Sequence, residues 1–238
     1  LLITRPREEA EDFAAAVRAV GIDPFIEPML EIRPNSLARP LDLAGVQALL
    51  VTSRNGLAAL AQATTRRDIP LFAVGDASAR AARAAGFISV QSADGDAEAL
   101  AALVIDNLEP RQGVVLHVAG KAVAGDLTGT LAAAGFAARR AVLYEAVAAT
   151  ALSPGCGAAL AAGRLDAAVF FSPRTAATFV RLVQAAALQD KFATMIAFCL
   201  SPAAAAAAAA LSWGRIAVAE RPNQDALLRL LRSEGESR

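Results

Sequence analysis

The stretch LLITRPREEAEDFAAAVRAVGIDPFIEPMLEI, residues 1–32, lines up without a gap on VLHVAGKAVAGDLTGTLAAAGFAARRAVLYEA, residues 115–146. Asp12 falls on Asp126, Ala19 on Ala133, Gly21 on Gly135 and Glu31 on Glu145, and the apolar positions between them mostly match. A repeat at fixed offset constrains the whole architecture, so it is read before local propensity. Working outward, Leu50-Val51-Thr52-Ser53-Arg54 matches Phe170-Phe171-Ser172-Pro173-Arg174, and Phe72-Ala73-Val74-Gly75-Asp76 matches Phe198-Cys199-Leu200-Ser201-Pro202. Asp96-Ala97-Glu98-Ala99-Leu100 matches Asn223-Gln224-Asp225-Ala226-Leu227. The middle of the chain carries these three units and then the copy of the N-terminus. The C-terminal part carries the three and lacks the fourth, which is the N-terminal segment itself. This permutation predicts two similar α/β domains with parallel sheets flanked by helices, the first domain discontinuous. The expected bounds are 1–33 plus 149–238 for one domain and 36–142 for the other. A two-stranded linker at about 28–35 and 142–149 would join them.

Local pattern agrees. Short aliphatic or β-branched runs alternate with Ala/Leu-rich segments of helical period, as in α/β folds. Strands are expected at 1–4, 23–26, 48–52, 71–74, 89–91, 114–118, 139–143, 167–171, 195–199 and 216–219. Helices are expected at 8–20, 54–63, 78–85, 97–107, 126–134, 153–162, 175–187, 202–211 and 224–231. Gly21, Gly86 and Gly135 stand where a left-handed helix C-cap is needed. Gly155-Cys156-Gly157 follows no strand and reads as a loop.

Composition narrows the function classes. The chain has 238 residues, 23 Lys+Arg against 23 Asp+Glu, one His and two Cys. Zero formal charge argues against bulk nucleic-acid binding, whose affinity comes from neutralising phosphates. Two Cys form no disulfide framework, and with one His there is no zinc ligand set. The apolar run at 203–211 is far shorter than the roughly 20 residues a membrane span needs. The opening residues lack the features of a signal peptide. A soluble, cytoplasmic protein is expected.

In open parallel sheets, ligands bind beyond the carboxyl ends of strands. Thr4-Arg5-Pro6, Thr52-Ser53-Arg54-Asn55, Ser172-Pro173-Arg174-Thr175 and Ser201-Pro202 stand at such ends, as do Gly75-Asp76 and Gly120-Lys121. Each can cap its helix or, through unpaired N–H groups, hold a carboxylate or phosphate. Several such turns in two like domains, with Arg5, Arg54, Arg174 and Lys121 nearby, point to a multiply anionic small molecule. No G-x-G-x-x-G follows a strand and no P-loop exists, so dinucleotides and NTP hydrolysis have no fingerprint. His117 fits a structural, a capping or a catalytic role. Cys199 reads as a buried core thiol and Trp213 as a packing residue. Tyr144 is the only Tyr; it either faces a cleft and donates a hydrogen bond or proton, or packs as a strand residue.

The opening Ile3-Thr4-Arg5-Pro6, the Thr52-Ser53-Arg54-Asn55-Gly56 turn and Val74-Gly75-Asp76-Ala77-Ser78-Ala79 are followed by Val142-Leu143-Tyr144 and Phe170-Phe171-Ser172-Pro173. Ala219-Glu220-Arg221-Pro222-Asn223 with Ala226-Leu227-Leu228 closes the series. In this order the chain resembles the uroporphyrinogen-III synthase family from end to end. The resemblance implies a cofactor-free lyase of porphyrin, tetrapyrrole and heme biosynthesis acting on hydroxymethylbilane. That reaction eliminates the terminal hydroxyl, closes the macrocycle and inverts ring D through an azafulvene cation and a spiro intermediate. It further implies Tyr144 as the group assisting hydroxyl loss, and Thr52, Ser53, Gly75, Ser78 and Ser172 as carboxylate contacts, chiefly through backbone N–H. The strand-end reading adds Thr4, Arg5, Asn55, Gly120, Lys121, Arg174, Ser201 and Pro202 as substrate-binding candidates. Where the family commonly has Gly-Pro-Thr-Thr, this chain has Ser201-Pro202-Ala203-Ala204, which leaves only backbone contacts there. Neither nucleic acid nor membrane is expected as a partner. A monomer is expected, with a transient contact to the preceding pathway enzyme left open. The competing class is a non-catalytic two-domain binding protein for a multiply anionic molecule. A response-regulator-like module needs an acidic cluster that Asp76 alone does not supply.

Overall fold

Residues 1–35, 40–123 and 125–235 are described by a computed structural model. The chain begins with β1 (Leu2–Ile3), α1 (Arg7–Arg18), β2 (Phe25–Ile26) and β3 (Leu30–Pro34). It continues through β4 (Val46–Val51), α2 (Arg54–Ala63), β5 (Leu71–Ala73), α3 (Asp76–Ala84), β6 (Val90–Ser92) and α4 (Ala97–Asn107). Next come β7 (Val114–Gly120), α5 (Leu127–Ala133), β8 (Ala137–Ala148), α6 (Pro154–Ala161) and β9 (Ala167–Phe170). The last elements are α7 (Pro173–Ala185), β10 (Ile196–Cys199), α8 (Pro202–Ala208), β11 (Arg215–Val218) and α9 (Gln224–Gly235). Two units result: Leu1–Glu31 with Val147–Arg238, and Ile32–Ala146. The expected start of the second domain at residue 36 lies outside the described residues.

Unit 1 holds a sheet in the order β11-β10-β9-β1-β2, with every pairing parallel. Its strands are short and apolar on both faces, as parallel strands covered by helices must be. Ala168, Phe170, Ala197 and Cys199 face a core with Cys156 and Leu160 of α6, Phe179 and Val183 of α7, and Ala204 and Ala208 of α8. Ile3, Val169 and Phe198 face the opposite core, with Phe13 and Val17 of α1 and Leu227 and Leu231 of α9. Trp213 packs as expected, its ring 4.7 Å from Phe192 and 5.8 Å from Phe170, and its Nε1 donates to the Ala208 carbonyl at 2.9 Å.

Unit 2 repeats the plan in the order β3-β8-β7-β4-β5-β6. Leu49, Val51, Leu116 and Val118 face α2 and α3, and Ala48, Leu50 and Val115 face α4 and α5. The repeat extends to register. Leu2 pairs with Phe25 and Ile3 with Ile26, while their equivalents Leu116 and His117 pair with Arg139 and Arg140. Gly21, Gly86 and Gly135 have φ of 77°, 91° and 90°, the left-handed conformation that ends a helix at Gly.

Two readings need correction. Leu2 pairs with Ala168 and Leu116 with Leu49, and the next helix cap stands four residues on in each case, at Ser172 and Ser53. Ser53 is therefore the counterpart of Ser172, one residue away from the match made on Arg54 and Arg174. The cap hydroxyl, not the Arg, is what the fold repeats. Gly155-Cys156-Gly157 is helical within α6, because Ser153 accepts from the Cys156 N–H at 3.1 Å and Pro154 occupies the first turn.

Candidate active site

In unit 2 the chain runs from β4 outward through β5 to β6, then returns to place β7 and β8 on the other side of β4. The switch point lies between β4 and β7, and a doubly wound sheet binds ligands outside such a point. Thr52 and Ser53 follow β4 and Gly120 ends β7, so both strand ends meet there. Ser53 Oγ accepts from the Gly56 N–H at 3.0 Å and stands 2.9 Å from Tyr144 Oη. A Cβ on Gly120 would come within 2.9 Å of the Tyr144 ring, and one on Gly56 within 3.2 Å of the Val118 carbonyl. Only glycine allows the phenol to lie across the end of β7.

Tyr144 reaches this place through an irregularity. Val118 pairs with Ala141 and Ala119 with Val142, but Gly120 pairs with Tyr144, so β8 carries one extra residue. Such a bulge re-aims side chains. Leu143 and Tyr144, though consecutive, both pack on the core beneath α2 and α3. Tyr144 is thus a strand residue whose ring is half-buried and whose hydroxyl is engaged.

Around it, Asn55 lies half-buried in the first turn of α2. Gly75 precedes α3 in extended conformation with no side-chain cap, and Ser78 is buried in that helix's first turn. Lys121 is exposed, its Nζ 3.4 Å from Glu145 and its N–H bonded to the Tyr144 carbonyl at 2.9 Å. His117 is buried with neither ring nitrogen bonded among the described residues, and burial followed by the Arg140 charge lowers its pKa to about 4.

Unit 1 has its own switch point, between β1 and β9, and it is filled differently. Thr4 is 0% exposed and donates to the Val169 carbonyl at 2.7 Å. Its hydroxyl stitches β1 to β9. Arg5 bonds Glu9 and Gln224 and lies 4.1 Å over the Phe171 ring. Its charge is met within the unit. Ser172 caps α7 through the Thr175 N–H at 3.2 Å, and Ser201 caps α8 through the Ala204 N–H at 3.3 Å. Arg174 and Pro202 are exposed in those first turns.

The arrangement brings Thr52, Ser53, Gly120, Lys121 and Tyr144 together at one end of unit 2, and Thr4, Arg5, Ser172 and Arg174 belong to unit 1. Gly56 was absent from the site candidates, although a Gly three residues after a capping Ser was a usable signal. The bulge at Gly120 had no signal in the sequence.

A doubly wound α/β protein of two like units, with hydroxyl groups and helix N-termini at a sheet switch point, is the class these features define. A model of the family described as uroporphyrinogen-III synthase HemD matches residues 11–229. No curated protein matches the chain in sequence. Among solved structures, the uroporphyrinogen-III synthetase of Helicobacter pylori 26695 is similar, with TM-score 0.64 and 18% identity over 89% of this chain and 92% of that one. A mutant uroporphyrinogen III synthase from the extremely thermophilic bacterium Thermus thermophilus is similar with TM-score 0.56 and 18% identity, covering 99% and 98%. At that identity the two structures speak for the fold. The chain belongs to the uroporphyrinogen-III synthase HemD family, whose members are cyclising lyases of tetrapyrrole biosynthesis. Among the described residues no helix is long and apolar enough to cross a membrane.

Proposed function

We propose that this chain dehydrates and cyclises hydroxymethylbilane to uroporphyrinogen III without a cofactor, with Tyr144 assisting departure of the terminal hydroxyl. The observation that carries this reading is the phenol of Tyr144 held 2.9 Å from Ser53 Oγ at the switch point of unit 2. A phenolic O–H is a hydrogen-bond donor. Aimed at the hydroxymethyl oxygen, it lowers the cost of C–O cleavage, and the oxygen leaves as water once protonated. The azafulvene cation left behind is attacked by the substituted carbon of ring D, giving a spiro centre. Cleavage of the older bond at that centre releases ring D, which recloses through its other side, and loss of a proton restores the pyrrole. One water leaves for each macrocycle formed.

The substrate's eight carboxylates suit a site of backbone N–H groups. In unit 2 the first turns of α2 and α3 supply them at Ser53, Asn55, Gly75 and Ser78, with Thr52, Gly120 and Lys121 beside them. In unit 1 the first turns at Ser172, Arg174 and Ser201 offer the same chemistry, while Pro202, which has no N–H, can add only an apolar contact. Thr4 and Arg5 are left out, since their polar groups are already engaged. Holding ring D so that the substituted carbon is nearer is positional control, for which oriented binding is the main source of rate.

The test mixes the protein with freshly generated hydroxymethylbilane, then quenches, oxidises and separates the uroporphyrin isomers. Isomer III in proportion to protein is expected. Tyr144→Phe is expected to lower turnover about 10- to 100-fold, at the lower end of general-acid effects, with the melting temperature kept. Isomer I alone, at the spontaneous rate, overturns the reading and favours a non-catalytic binding protein. Full turnover in Tyr144→Phe removes Tyr144 from the mechanism.

A further inference from the structure

We propose that Ser53 is a positioning residue for Tyr144, and that the side chain acts on the phenol and not on a substrate carboxylate. This deepens, and rests on, the reading of Tyr144 as the group that assists hydroxyl departure. Three observations converge. Ser53 Oγ accepts from the Gly56 N–H at 3.0 Å, which fixes its lone pair and leaves its proton to point elsewhere. Its neighbour on the other side is Tyr144 Oη at 2.9 Å, a pair in which either hydroxyl can donate. The phenol occupies the space that Gly120 leaves open, where a Cβ would overlap Cε2 and Cζ at 2.9 Å.

With the shared proton on Ser53, the result is a chain of donors, Gly56 N–H to Ser53 Oγ–H to Tyr144 Oη–H, starting from the positive end of α2. Each bond polarises the next, and the helix terminus adds its partial charge. With Ser53 donating, the phenol proton is free for the departing hydroxyl. Without Ser53, the phenol hydroxyl loses the hydrogen bond that orients it at the switch point. The bulge that turns Tyr144 toward α2 is what makes this pairing possible.

Three variants test it. Ser53→Gly removes the hydroxyl, and glycine at a cap costs helix stability only a few tenths of a kcal/mol relative to Ser. Ser53→Thr keeps the hydroxyl. Gly120→Ala leaves both hydroxyls but pushes the ring away. Because Tyr144 is the only Tyr, protein labelled with 13C at tyrosine Cζ gives one phenol resonance that reports the hydrogen bond without any substrate. Ser53→Gly and Gly120→Ala are expected to move that resonance, and Ser53→Thr to keep it. In turnover, Ser53→Gly is expected to lose about five- to tenfold in kcat with KM unchanged, the size of one neutral hydrogen bond, and Ser53→Thr to restore it. An unmoved resonance in Ser53→Gly overturns the pairing. A moved resonance with kcat unchanged, or a raised KM with kcat unchanged, overturns the positioning role. Wild-type protein that makes only isomer I while the resonance still moves leaves the pairing standing and overturns its catalytic meaning, a failure of the synthase reading alone.

Discussion

His117 is 4% exposed, and among the described residues neither ring nitrogen has a hydrogen-bond partner. Burial, followed by repulsion from Arg140, lowers its pKa to about 4. The folded protein therefore resists protonating an imidazole that protonates near 6.5 when unfolded. Its contribution is complete above pH 6.5 and is lost as pH falls toward 4, up to about 3 kcal/mol. Denaturation midpoints at pH 7.5, 5.5 and 4.5 should fall more steeply for the wild type than for His117→Leu; parallel curves would show that the ring is solvated. Cys156 and Cys199 are both buried, and burial pushes each thiol up to about 12. A thiol reagent at pH 8 should label neither in the native protein and both in denaturant. Cys199 was legible from its apolar strand alone. His117 was not, because a polar residue in a β-strand gives no sign of whether a partner awaits it. Tyr144 was legible as a residue worth naming, but its orientation was not. Strict alternation puts it on the face opposite Leu143, and the extra residue in β8 reverses that.

Elements are joined by polar contacts that periodicity does not reveal. Glu27, which follows β2, is 7% exposed, and its carboxylate accepts from both the N–H and the hydroxyl of Ser153 at 2.6 Å. Ser153 in turn caps α6. One acidic side chain thus fixes where α6 begins relative to the end of β2. Glu27→Ala removes two charge-assisted bonds that a buried carboxylate accepts from Ser153 and should cost about 2–3 kcal/mol. Urea titration of that variant against Ser153→Ala checks it; a loss under half a kcal/mol would mean the contact is solvent-replaced. Helix starts marked by Ser or Asp, as at Ser53 and Asp96, were readable to the residue because the cap is a side-chain property, whereas the helix capped by Ser172 begins at Pro173, two residues before the expected start. Strand ends were less so. The strand expected at 195–199 begins one residue later and the one at 216–219 shifts back by one, since ladder pairing depends on neighbours distant in sequence.

At the scale of the molecule, the permuted repeat was legible because identical helix stops and apolar phases recur at fixed spacing. The equivalence of Ser53 and Ser172 was not, since the shared Arg drew the match off by one. The fold makes residues 1–31 indispensable to unit 1. β1 lies between β9 and β2, and α1 contributes Ala10, Phe13, Ala14 and Val17 to the core on one face. Deleting residues 1–31 should leave the amides of β9, β10 and β11 exchanging rapidly while those of β4 and β7 stay protected, as hydrogen exchange would show. Uniform protection throughout the shortened chain would mean that β9 closes its sheet without β1.

That threading also sets a timetable. During synthesis β1, α1 and β2 emerge first, yet their pairing partner β9 emerges only after all of unit 2. At roughly 5–20 residues per second, the wait is on the order of ten seconds. Throughout it Phe13 and Val17 have no core to enter, while the inserted unit can finish folding behind them. The nascent chain therefore depends on whatever shields the apolar face of an amphipathic helix at the ribosome, and slowing translation should lower the yield of unit 1 before it touches unit 2.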